Sequence, residues 1–245
     1  MGAKKGRIGW LPKDWETRLL ENARHNEANH GAGYATGIAV LWATGCRPSE
    51  LAKGVKIRRN GSTWEFTIEG TKTGTTGGVA GAAKRGSSLR VVKVKANGQA
   101  WSSCLLDAYV KGGGGWLTVK TASADTIASQ IRRLARREWG DLPASRLPSP
   151  YSFRHLMGRD LKTQGEAPEA IARVLGHASC HSQKRYGKWR KGGGSKSPRK
   201  GIEAISSTAP RGGKAKADKS PLARFKAASA AKKRSTPSTA PRPRI

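Results

Sequence analysis

Apolar positions along the chain keep two rhythms. From Asp14 onward, Trp15, Leu19 and Ala23 recur every four residues, the spacing of one helix face. Asp14 is the expected cap, and Gly31 and Gly33 end the run. Residues 34–44 are apolar on several faces (Ile38, Val40, Leu41, Trp42), which predicts a helix at the centre of the core. Gly45 stops that helix, and Pro48 suits the first turn of another. The segment TGCRPSEL therefore holds Arg47 at a rigid helix junction. The rhythm then shortens. Residues 55–57, 63–68 and 89–94 have strand spacing, with Trp64, Phe66 and Ile68 on one face. They predict a small antiparallel sheet of three strands. Between the second and third lies EGTKTGTTGGVAGAAKRGS, a stretch too long for a plain hairpin; such loops are usually functional or disordered.

Helical spacing returns over residues 101–111, followed by four glycines at 112–115. Ser123 is placed to cap a helix carrying Ile127, Ile131, Leu134 and Trp139. After a loop with prolines, Phe153, Leu156, Met157 and Leu161 mark a further helix. Ile171, Val174 and Leu175 mark the next, begun by Pro168 and ended by Gly176. Residues 181–190 are expected to form a short third helix in this group. The chain so read is α+β and mostly helical.

Charge changes this picture in two ways. The 245 residues hold 47 Lys plus Arg against 16 Asp plus Glu, a formal net charge of +31. Self-repulsion of that size favours a polyanionic partner, nucleic acid before an anionic membrane surface. The charge also marks the ends. Residues 1–12 read as a flexible basic arm, 13–189 as the folded domain and 190–245 as a disordered basic tail. The tail is rich in Ser, Pro, Ala and Gly and has only Glu203 and Asp218 as acids, so it cannot bury a core of its own. Three cysteines, Cys46, Cys104 and Cys180, are too few and too scattered for a disulfide framework. No apolar run is long enough to span a bilayer. The N-terminus has no apolar signal core, and Gly6 stands where a myristoylation pattern needs Ser or Thr. A soluble protein without membrane contact is expected, cytoplasmic and associated with DNA, or nuclear in a eukaryotic host.

Five residues then stand out for their chemistry. Arg47 lies at a helix junction and Arg154 at a helix start. Lys72 lies in the strand–strand loop. His177 follows a helix-ending Leu-Gly, and Tyr186 comes nine residues later. Arginine pairs bidentately with phosphate. Two arginines from different elements can hold both non-bridging oxygens of a phosphodiester and stabilise the charge of a five-coordinate transition state. A tyrosine can be the nucleophile if cations lower its pKa of about 10. A loop lysine can protonate the leaving oxygen.

TGCRPSEL, TKTG, SFRH, LGH and the tyrosine nine residues on together resemble the tyrosine recombinase (phage integrase) family. The resemblance runs from about Thr44 to Trp189, the family's catalytic domain, and implies its fold. It implies that Arg47 and Arg154 clamp the scissile phosphate, with Glu50 as a structural partner. Lys72 would be the general acid for the 5′-hydroxyl, with Lys84 of the same loop as the rival. His177 would hydrogen-bond the phosphate, and Tyr186 would form a 3′-phosphotyrosine. No metal, nucleotide or other cofactor is implied; His177, Cys180 and His181 suggest a metal site by type, but Cys46 and Cys104 supply no paired spacing to complete one. Double-stranded DNA would be the partner, with a tetramer in the synaptic complex.

The chain departs from the family pattern twice. Tyr151 stands where the family usually has a histidine, three residues before the second arginine. A phenol is a poor base at neutral pH. About 30 residues precede the second helix, where the family usually has a helical core-binding domain; the basic tail or an accessory DNA-bending or core-binding protein would compensate. The function expected is site-specific strand exchange. The alternatives are a degenerate recombinase serving as an architectural or regulatory DNA-binding protein, and a type IB-like topoisomerase.

Overall fold

The computed structural model describes residues 11–30, 34–71, 86–96, 98–180, 182, 202–207 and 210. These all fall in one contact unit, residues 1–211. Lys72, Lys84, Tyr186, the N-terminal arm over residues 1–10 and the helix expected over 181–190 (residue 182 apart) lie outside the described residues.

The element at the centre is α2 (Ala35–Thr44), in which every residue but Thr36 is buried. Its sequence ATGIAVLWAT offers no polar face, so it is covered on all sides. It packs against α1 (Trp15–His30), α4 (Ala100–Lys111) and α6 (Pro150–Thr163). Trp15 closes α1 onto α6 by packing against Phe153 at a tilt of 52°, with ring centroids 4.7 Å apart. Helix α5 (Ala124–Glu138) is amphipathic. Ile127, Ile131, Leu134 and Ala135 are buried, and Ser123 caps the helix by accepting from the Thr126 N–H at 3.0 Å. Asp14 differs from expectation. It starts α1 through its carbonyl, which accepts from the Arg18 N–H at 3.1 Å, and its φ of 53° is left-handed rather than the extended form usual at an N-cap.

The sheet corrects the expected three strands to five. β1 (Val55–Asn60), β2 (Thr63–Glu69) and β3 (Leu89–Lys95) form the expected meander, and β4 (Leu117–Val119) and β5 (Ile202–Ser206) add the two edges. The order is β4-β1-β2-β3-β5, with every neighbouring pair antiparallel. β4 has three residues, too few for an alternation to show. β5 lies within the tail expected to be disordered, in a basic, polar stretch whose composition hides five residues of strand. It is anchored at its end by Ser207, whose N–H donates to the Leu89 carbonyl at 2.9 Å while its hydroxyl bonds to Ser87 and Ser88.

Register decides which side chains enter the core. Val55, Ile68 and Arg90 share one inward row, and Ile57, Phe66 and Val92 the next. On the other face Glu65 lies between Arg58 and Lys93 and pairs with both, a cross-strand arrangement of opposite charges. An inward-facing arginine in this sheet is the first sign of a polar site within the fold.

Helix α2 ends at Gly45, with φ 61°. A Cβ there would stand 2.8 Å from the Met157 Cβ and 3.4 Å from the Arg154 Cα. The close approach of α2 and α6 thus depends on glycine. Gly61, in the β1–β2 turn, has a similar φ of 56° but open space around it. Gly45→Ala should cost about 2–5 kcal/mol, the sum of left-handed strain and overpacking. Gly61→Ala should cost about 1–2 kcal/mol, the strain alone. Equal losses in denaturant unfolding would show that the α2–α6 approach is loose.

Candidate functional site

Three elements bring the site together. α3 (Pro48–Lys53) begins at Arg47, which has extended backbone (φ −77°, ψ 149°) as its N-cap. Glu50, in the first turn of α3, reaches back to accept from the Arg47 backbone N–H at 2.8 Å. It also accepts from the Arg47 Nη1 at 2.6 Å. One carboxylate thereby fixes both the backbone and the guanidinium of Arg47. α6 supplies Arg154, which is 2% exposed. Its Nη1 donates to the Gly45 carbonyl at 2.9 Å, and its Nη2 to the Leu175 carbonyl and to His177 Nε2, the latter at 2.9 Å. α7 (Pro168–Leu175) ends at Gly176 with φ 62°, and His177 follows. The His177 backbone N–H donates to the Ala172 carbonyl at 2.8 Å.

Arg47, Arg154 and His177 are thus buried together, as their motifs suggest. Arg154 holds the carbonyl two residues before Arg47 on one side and the ring of His177 on the other. The two motif glycines have a common reason. Each ends a helix in left-handed backbone, and each lies against an arginine-bearing element where a Cβ would not fit. Tyr151 behaves differently. It lies in the first turn of α6 and is 48% exposed, unlike the buried cluster.

Arg90 was not foreseen from the sequence. It is 1% exposed on β3. Its Nη1 and Nη2 donate to the two oxygens of Glu50, at 3.2 and 2.7 Å, and its Nε donates to the Val174 carbonyl at 2.9 Å. One signal could have found it. In LRVVKVK the strand period places Arg90 on the face of Val92 and Val94, so a charge enters the core side and must have a buried partner.

The residues that flank the loop containing Lys72 are held by α3 and by His177. Thr71, the residue before Lys72, hydrogen-bonds through its hydroxyl to Ser49 on α3 at 2.8 Å. Gly86, where the described chain resumes, forms a β-bridge with His177. Among the described residues, no group of His, Cys, Asp and Glu is arranged to hold a metal ion, and no helix is long and apolar enough to cross a membrane.

Electrostatics set the protonation states. Burial pushes the Glu50 carboxyl up, but Arg90, Arg47 and Arg154 outweigh it and hold the group at about 2. For His177, burial and then the charges of Arg154, Arg47 and Arg90 push the ring down to about 2, against a smaller opposing pull from Glu50. His177 is therefore neutral. Arginine can only donate, so Nε2 is the acceptor from Arg154 and the ring proton sits on Nδ1. Burial also raises the neighbouring Cys46 thiol to about 11, which keeps it protonated. The cluster thus holds three fixed positive charges, one negative charge and a neutral imidazole.

Both shifts make acid destabilising. Unfolded His177 gains a proton below pH 6.5 while the folded ring stays neutral, so stability falls as pH drops below 6.5. Unfolded Glu50 gains one below pH 4.5 while the folded carboxylate stays charged, and its contribution is lost as pH falls from 4.5 toward 2. Each proton adds a slope of up to about 1.4 kcal/mol per pH unit. His177→Asn should flatten the unfolding free energy between pH 6.5 and 4.5 by one proton's worth. An unchanged slope in urea titrations would show that the ring titrates normally.

No protein-family model matches this chain, and no curated protein matches it. Among solved structures it is similar to the crystal structure of XerA recombinase, with 20% sequence identity and a TM-score of 0.46. The similarity covers 74% of this chain and 60% of that one.

Proposed function

We propose that this chain carries the catalytic domain of a tyrosine recombinase, cutting and rejoining DNA through a 3′-phosphotyrosine. The observation that carries the reading is the convergence of Arg47, Arg154 and neutral His177 in one buried cluster, with Thr71 and Gly86, which flank the Lys72 loop, held by Ser49 of α3 and by His177. The excess of positive charge suits one phosphodiester.

The chemistry follows from those groups. Arg47 and Arg154 engage the non-bridging oxygens of the scissile phosphate. Their orientation is set beforehand by Glu50 and by the Gly45 and Leu175 carbonyls, so little reorganisation is needed as charge develops. His177 donates to the phosphate from Nδ1, a role that a neutral ring can fill without adding charge. The Tyr186 hydroxyl gives up its proton to solvent water, its oxygen attacks phosphorus, the Tyr–O–P bond forms and the bond to the 5′ oxygen breaks. Lys72 delivers a proton to that oxygen. Attack by the 5′-hydroxyl of a partner strand reverses the step and releases Tyr186. The phosphotyrosine conserves the bond energy, so no nucleotide is consumed. Strand exchange between two duplexes requires four copies of the site, so the working form is a tetramer on DNA.

The exposure of Tyr151 favours a second reading. A half-exposed phenol stands where the family usually has a histidine. The chain would then be a DNA-binding protein that no longer cleaves. Duplexes nicked beside the cleavage position and carrying the ends of the chain's own element separate the two readings. The wild-type protein should become covalently attached to the 3′ end, Tyr186→Phe should not, and Arg154→Ala should be slower by about 10²–10³. No covalent product from any of these duplexes would leave the non-catalytic reading. Relaxation of supercoiled plasmid without sequence preference would instead indicate a topoisomerase.

A further inference from the structure

We propose that Arg90 is the positioning residue that holds the Arg47 side of the site in register with the His177 side. The inference rests on the recombinase reading, and it concerns a residue outside the motifs that suggested that reading.

Arg90 occupies the only inward-facing charged position of β3, in the row of Val55 and Ile68. At least three of its donors are committed to protein acceptors. Two run in parallel to the Glu50 carboxylate, and Nε runs to the Val174 carbonyl at the end of α7. Glu50 in turn holds Arg47 through its backbone N–H and Nη1. Val174 lies three residues before His177, across Gly176. One planar guanidinium thus joins the start of α3 to the end of α7. A cation at that end of α7 also complements the helix dipole.

Gly176 fits the same role. A Cβ at this position would lie 2.7 Å from Arg90 Nη1 and 3.0 Å from its Cζ. A side chain at this turn would therefore meet the Arg90 guanidinium. The same strand region provides a second link, because Gly86, four residues before Arg90, bridges to His177. Because its donors face Glu50 and Val174, Arg90 acts through Arg47 and His177. Lysine could keep the charge but could not span Glu50 bidentately and Val174 at once.

The test is Arg90→Lys in the full chain, with Glu50→Gln as a second variant and Arg159→Lys as an exposed control. With nicked duplex, Arg90→Lys should slow covalent-complex formation by roughly 10- to 100-fold while DNA affinity changes less than about threefold. The double variant with Glu50→Gln should be no slower than the worse single, because both break one link. Nitrogen-15 spectra of histidine-labelled protein give a readout that needs no cleavage. The Nδ1–H pattern of His177 should shift or broaden in Arg90→Lys and stay unchanged in Arg159→Lys. Unchanged His177 resonances overturn the proposal, as do wild-type cleavage rates in Arg90→Lys or a parallel loss of DNA affinity. If Arg90→Lys does not fold, Glu50→Gln decides alone: an unaltered His177 spectrum then overturns the link. Failure of the wild type to cleave bears on the recombinase reading, and the His177 spectrum still decides the role of Arg90.

Discussion

The carboxylate of Glu50 has no exposed surface, and two guanidinium groups share it. An isolated charge in that position would cost several kcal/mol in lost hydration. Here each oxygen accepts from both sides. Oε1 receives the Nη1 groups of Arg47 and Arg90, and Oε2 receives the Arg47 backbone and the Arg90 Nη2. The arrangement is sensitive to loss of a partner, because removing one member of a buried pair strands the other, at about 3–5 kcal/mol. Such a network need not raise net stability. What it supplies is a single geometry: Arg47 cannot turn without leaving Glu50 half paired.

Arg154 is fixed by a different device. It donates to the carbonyl groups of Gly45 and Leu175, at or beside the ends of α2 and α7. Helix C-termini present unsatisfied carbonyls with partial negative charge, so they suit a buried cation. These contacts explain why two glycine-terminated helices converge on one arginine. The left-handed turns at Gly45 and Gly176 end each helix abruptly and bring its last carbonyls to the same side chain. Burial, together with the three positive charges gathered in this way, keeps His177 neutral, and the imidazole then acts as a fixed hydrogen-bonding group rather than a base.

Local rules made much of this legible. The all-apolar run at 34–44 marked the central helix, and strand alternation marked β1, β2 and β3. Ser123 and Pro48 marked helix starts, and Gly45 and Gly176 marked stops. Each of these signals depends on neighbours within a few residues. Arg47, Arg154 and His177 were legible because they stand beside such stops and starts, where the backbone conformation is strongly determined. Tyr186, Lys72 and Lys84 lie outside the described residues, and their roles stand on the sequence pattern and the attachment of neighbouring residues.

The sequence by itself determined where the main helices and β1, β2 and β3 lie and which residues are candidates for phosphate chemistry. Both are properties of short stretches, set by backbone sterics and hydrophobic period. Tertiary structure alone decided that Arg90 belongs to the cluster, that β5 adds an edge to the sheet from within a basic tail, and that Tyr151 is about half exposed. The reason is the same in each case. A buried charge is satisfied by whichever element the fold brings against it, here Glu50 of α3 for an arginine of β3. An edge strand such as β5 is defined by the partner it pairs with, and no local pattern carries that information.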